Sequence, residues 1–76
     1  MAGKNHKKLL ATIAANIKAI RQAKGMTQAQ VADILEKDKQ AIQKLERGDI
    51  NPRYLTLVEV AEALGVSVND LLKGTI

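Results

Sequence analysis

Residues 28–48, QAQVADILEKDKQAIQKLERG, carry two short apolar sets on either side of a polar break. Val31, Ala32 and Leu35 fall at helical spacing, Glu36-Lys37-Asp38 interrupts them, and Ile42 and Leu45 resume it. Two helices joined by so tight a turn can cross near a right angle only where a small residue lets the backbones approach. Ala32 provides that residue, and Val31, Leu35, Ile42 and Leu45 supply the apolar contacts that lock the angle.

The rest of the chain extends the same helical pattern, with no strand alternation and no repeat. Leu9, Ile13, Ile17 and Ile20 predict a first helix over residues 8–24, ended by Gly25 in the left-handed conformation. Thr27 with Gln30 forms a capping box that opens a second helix, and Asp38 is a good cap for a third that stops at Gly48. Asp49-Ile50-Asn51-Pro52 reads as a loop. A fourth helix over residues 54–64 is expected to turn Tyr54, Leu57, Val60, Ala61 and Leu64 inward. Gly65 terminates it, and the capping box of Ser67 with Asp70 opens a short fifth helix through Leu72. The expected fold is all-α, a compact five-helix bundle over residues 8–73. Basic residues 1–7 and residues 74–76 are expected to fray.

Several functions are excluded early. The chain has no cysteine and one histidine, so neither a disulfide nor a thiolate or imidazole metal cluster is available. There is no nucleophile with a base, no paired carboxylates in an enclosed segment and no glycine-rich phosphate loop. An enzyme is not expected, and no cofactor is. Charged residues interrupt every apolar stretch short of the ~20 residues a membrane helix needs, and a soluble, cytoplasmic protein of bacterial or phage origin is expected. With one aromatic residue, Tyr54, stacking on unpaired bases is disfavoured.

Net charge is +4, which by itself fits solubility as well as a polyanionic partner. Residues 1–24 hold Lys4, Lys7, Lys8, Lys18, Arg21 and Lys24 and no acid, whereas residues 25–53 balance five bases with five acids. Arrangement is more informative. With Ile42 and Leu45 inward, the third helix turns Lys39, Gln40, Gln43, Lys44 and Arg47 outward, all long hydrogen-bonding side chains and none acidic. Gln pairs bidentately with adenine and Lys donates to guanine N7 or O6 in the major groove, while a merely solvated helix would mix Glu with Lys. The basic residues 4–8 suit either a groove-following arm or a solubilising tail, and His6 within them is given no role.

The order and spacing of Arg21, Gly25-Met26-Thr27-Gln28, Val31-Ala32, Ile42-Gln43-Lys44-Leu45-Glu46-Arg47-Gly48, Asn51-Pro52 and Leu57 through Ser67 resemble the phage-repressor and Cro-type, or xenobiotic-response-element, helix-turn-helix family. The resemblance covers residues 13–72 and implies double-stranded DNA as partner. It implies that Gln28 donates to a phosphate, that Lys39, Gln40, Gln43 and Lys44 read bases, and that Arg47 and Arg53 touch the backbone. It also implies an ion pair between Arg21 and Glu46 tying the first helix to the end of the third. Glu36 stands where the family usually has glycine in the turn, and Lys37 follows where an apolar residue is frequent. Glu36 must either enter the left-handed region or sit in a slightly different turn.

One recognition helix reads few bases, so a homodimer on a palindromic operator is expected, with Val68 and Leu72 as candidate dimer residues. For Val66 and Leu71, closing the monomer core is the preferred reading. A transcriptional regulator, in the first instance a repressor, is the leading function. A restriction-modification controller, an antitoxin-like autoregulator whose main partner is a toxin, and an interaction module that has lost DNA binding are the alternatives. A protein partner such as a toxin or polymerase stays open.

Overall fold

The computed structural model describes residues 6–75. Five helices follow in order: α1 His6–Ala23, α2 Gln28–Ile34, α3 Lys39–Arg47, α4 Tyr54–Leu64 and α5 Val68–Leu71. α2 packs on α3 and α4, while α1 packs on α3 and α5. The core they enclose is Ile17, Val31, Ala32, Ile42, Leu45, Leu57, Val60, Ala61, Leu64 and Leu71. Aliphatic side chains of this kind fill such a small volume in few rotamers, and burying each contributes about 1.5–3 kcal/mol.

The inner faces differ from the expected stripes at their ends. α1 begins at His6, ahead of the expected Lys8, and buries Ala14, Ile17 and Arg21. Leu9, expected on the inner stripe, is exposed. Tyr54, expected inside, is 68% exposed because α4 starts there and meets the core only from Leu57 onward. At the other end, Thr75, within the segment expected to fray, is hydrogen-bonded to the preceding turn. Thr75 donates its amide and its hydroxyl to the carbonyl of Leu72, at 3.1 and 2.6 Å. Lys4, part of the expected tail, falls outside the described residues.

Local signals place most helix ends. The Thr27 hydroxyl accepts from the Gln30 amide and the Gln30 side chain accepts from the Thr27 amide, so α2 opens on a complete capping box. Ser67 and Asp70 do the same for α5. There the Ser67 amide, bonded to the Asp70 carboxylate, holds that carboxyl below its ordinary value. Asn16 in the middle of α1 donates to the carbonyls of Leu71 and Lys73, at 2.9 and 2.7 Å, fastening the last helix to the first.

The α2–α3 turn departs from the expected capping. Asp38 occupies the N-cap position of α3 with extended backbone, but its side chain makes no cap hydrogen bond. Glu36 enters the left-handed region at φ 55°, the one non-glycine residue with positive φ among those described. The Lys37 amide then reaches back to the Ala32 carbonyl at 2.8 Å and the Glu36 amide to that of Asp33 at 3.1 Å. Those two bonds satisfy the last carbonyls of α2, as in a glycine-terminated helix. The carboxylate-bearing residue holds the same geometry at a cost of about 1–2 kcal/mol from its Cβ.

Relief of that strain is measurable. Glu36→Gly, after allowing for the greater freedom of glycine in the unfolded chain, should raise stability by about 0.5–1 kcal/mol. Urea unfolding should show a higher midpoint at unchanged slope, and a lower midpoint would place the strain elsewhere.

Candidate nucleic-acid interface

α3 is amphipathic with one face fully committed to the core. Ile42 and Leu45 are buried, whereas Lys39, Gln40, Lys44 and Arg47 are exposed and Gln43 is half-buried. Four long polar side chains on one helix therefore face away from the protein with no acid among them. Gly48, at φ 76°, stops the helix where a Cβ would come within 3.4 Å of Ala11, so α1 crosses close behind its C-terminus. Lys44 and Arg47 lie in that last turn, where the helix dipole favours cations.

Behind the exposed face sits a buried ion pair. Arg21 Nε donates to Glu46 Oε2 at 2.6 Å and Nη2 to Oε1 at 3.0 Å, with side-chain exposures of 10% and 2%. Its Nη1 donates to the Met26 carbonyl at 2.8 Å, in the segment joining α1 to α2. Gln28, the first residue of α2, donates Nε2 to Glu46 Oε1 at 3.0 Å. Three consecutive helices thus meet on one carboxylate. No buried side-chain polar atom among the described residues lacks a partner. A bidentate guanidinium–carboxylate pair with its remaining groups satisfied is the arrangement in which buried charge is tolerable.

The remaining candidate residues are placed as follows. Arg47 Nε bonds Asp49 Oδ2 at 2.9 Å, with both side chains more than half exposed, a contact weak enough to exchange for another anion. Arg53 holds the N-cap position of α4, is exposed and makes no cap hydrogen bond. A cation there is disfavoured by the helix dipole, so its placement gains α4 nothing. Arg53 also edges a cleft of about 360 Å³ with Leu35, Lys37, Ile50 and Pro52, between the α2–α3 turn and the α3–α4 loop. Glu36, Lys37 and Asp38 share a second concave surface with Gln40 and Lys44, so its charge is mixed. Val68 and Leu72, the candidate dimer residues, are half-buried and packed on their own core, as is Val66. The large exposed apolar side chains are instead Ile34, Tyr54 and Leu55, with Leu9 and Ile50 less so.

The sequence assigned Lys18 no role. It shares a hollow of about 300 Å³ with Gln28, Gln43, Glu46 and Arg47. The signal was its position three residues before Arg21, which puts both on one face of α1.

A helix-turn-helix family model matches residues 17–71, the span from the middle of α1 to the end of α5. An uncharacterized HTH-type transcriptional regulator of Sinorhizobium fredii is 40% identical over 63 residues, covering 83% of this chain and 82% of that protein. The immunity repressor protein of Bacillus phage phi105 is 36% identical over 61 residues, covering 80% of this chain but only 42% of the repressor. Among solved structures, the restriction-modification controller protein C.AhdI from Aeromonas hydrophila superposes with a TM-score of 0.77 at 26% identity. That superposition covers 82% of this chain and 94% of that one.

Breaking the buried pair should cost far more than a surface pair would. Arg21→Met strands the Glu46 carboxylate and should lower stability by about 3–5 kcal/mol, whereas Arg21→Met with Glu46→Leu should recover much of the loss. Chemical denaturation of the two variants checks this, and equal destabilisation would mean that stranded charge is not the cause.

Proposed function

The chain belongs to the helix-turn-helix family of DNA-binding transcriptional regulators, not to an enzyme family, and on that premise we propose that it represses transcription by reading a specific operator with α3 in the major groove. The observation that carries this reading is the acid-free exposed face of α3, backed by the network that holds Gln28 and Glu46 in place. Lys39, Gln40 and Lys44 are the base readers, with Gln43 half-buried beside them. Gln28 uses the amide hydrogen not given to Glu46 to donate to a phosphate, and Arg47 and Arg53 also contact the backbone.

Two copies on a two-fold site are part of the proposal, because one helix of nine residues reaches only a few base pairs. Val68 and Leu72 can supply only part of such a dimer contact, being already half-covered by their own core. Operation is in the cytoplasm, where the operator is; no helix among the described residues is long and apolar enough to cross a membrane. A second reading, a controller role in a restriction-modification system, is favoured by the near-complete overlap with C.AhdI.

Selection from random duplexes followed by salt titration tests the reading. A palindrome should be enriched, at two protein copies per site, and log K should fall linearly with log salt. Lys39→Ala or Gln40→Ala should cost about 1–3 kcal/mol and relax preference at one base position. Gln28→Ala should weaken all sites about equally. Identical behaviour of the three variants would overturn the groove assignment.

A further inference from the structure

α5 is four residues long, too short to hold itself as a helix, so its position depends on the rest of the chain. Its start is closed locally by the capping box of Ser67 with Asp70, but its end is closed from a distance. Asn16, half-buried in the middle of α1, gives its Nδ2 hydrogens to the Leu71 carbonyl at 2.9 Å and the Lys73 carbonyl at 2.7 Å. An asparagine amide has two hydrogens, and both are used. The Leu72 carbonyl between them accepts from the amide and the hydroxyl of Thr75. Three successive carbonyls at a helix end, ordinarily without partners in the helix itself, are thus all occupied. Gly74, at φ 84°, brings this segment against α1, where a Cβ would stand 3.5 Å from the Thr12 methyl.

Leu72 lies between the two carbonyls that Asn16 grips, and it is half-buried, packed on its own core with the remainder open. We propose that Asn16 is a positioning residue for the contact between two copies of this chain on DNA. By fixing the backbone on both sides of Leu72, it sets the surface that Val68 and Leu72 offer to the second copy. A gap of about 0.5–1 Å forfeits a quarter to a half of the dispersion attraction, so a contact this small depends on where the α5 backbone stands. The same helix holds α3 through Arg21 and α5 through Asn16, five residues apart on α1. The distance from the reading helix to the two-copy contact is therefore referred to one rigid element. On a two-fold site that distance selects the spacing of the half-sites. The proposal rests on the two-copy reading above and adds a residue that itself touches neither DNA nor the second copy.

The test uses duplexes carrying the two half-sites of the selected palindrome at their own spacing, the same half-sites moved closer or farther apart, and a single half-site. Wild type should bind the selected spacing cooperatively and the altered spacings as independent half-sites. Asn16→Leu keeps the bulk of the side chain without an N–H to donate, and Asn16→Ala removes it. Each should lose about tenfold in affinity for the full site, the order of one or two hydrogen bonds. Each should also flatten the dependence on spacing and leave single half-site affinity unchanged. Leu72→Ala should lose as much, and should add nothing in the Asn16→Leu background. Ala15→Gly, at an exposed position that weakens α1 but leaves Asn16 in place, should lower the thermal midpoint and keep the spacing preference. Parallel losses on half and full sites, an unchanged spacing profile, or additive losses with Leu72→Ala overturn the positioning role and leave the two-copy reading standing. Independent half-site binding by wild type at every spacing overturns the two-copy reading, and the positioning role with it.

Discussion

A guanidinium and a carboxylate withdrawn from water cost several kcal/mol each, and Arg21 with Glu46 is tolerable only because every donor around them has an acceptor. That requirement fixes geometry. Arg21 must reach the Met26 carbonyl, which sets the path from α1 into α2, and Glu46 must face inward from the last turns of α3. Gln28 then lies against Glu46 at the start of α2. An apolar cluster of the same volume would tolerate small rotations of α3, whereas a bidentate pair with two further bonds does not. The orientation of the exposed α3 face is therefore set from behind by a contact almost wholly withdrawn from solvent.

The turn between α2 and α3 shows the opposite balance. Glu36 accepts a left-handed backbone and Asp38 stands at a helix start without capping it, two local choices that each forgo about 1 kcal/mol. The backbone bonds from Glu36 and Lys37 into the end of α2 still close the turn. Both carboxylates stay exposed on a surface that also bears Gln40 and Lys44. In the proposed docking, acids so near the phosphates weaken the sequence-independent part of binding. Discrimination then falls more heavily on the base-reading side chains.

Charge is distributed to the same end. The excess of base lies in α1, not in the helix-turn-helix itself, where bases and acids cancel. Arg47 is partnered by Asp49, and Glu46 is consumed by Arg21 and Gln28. In the proposed docking, a basic α1 alongside a balanced reading head separates attraction from selection, the first acting over about a Debye length and the second only on contact.

The sequence determined the elements and much of the face. Helical spacing of Ile42 and Leu45 was enough to place α3 and to turn Lys39, Gln40, Lys44 and Arg47 outward, whereas Gln43, expected among them, is half-buried. Side-chain caps such as Thr27 with Gln30 marked helix starts because the bonds that make them span three residues. Arg21 with Glu46 was readable only through the family resemblance, since nothing in one sequence shows which charges 25 residues apart will meet. Tertiary structure alone decided that Tyr54 points to solvent, that Val68 and Leu72 are half-spent on their own core, and that Lys18 joins Gln28 and Arg47 at one hollow. The physical reason is range. Spacing and capping act within a turn or two of helix, whereas exposure at a helix end and convergence of charges depend on where distant helices stop covering one another.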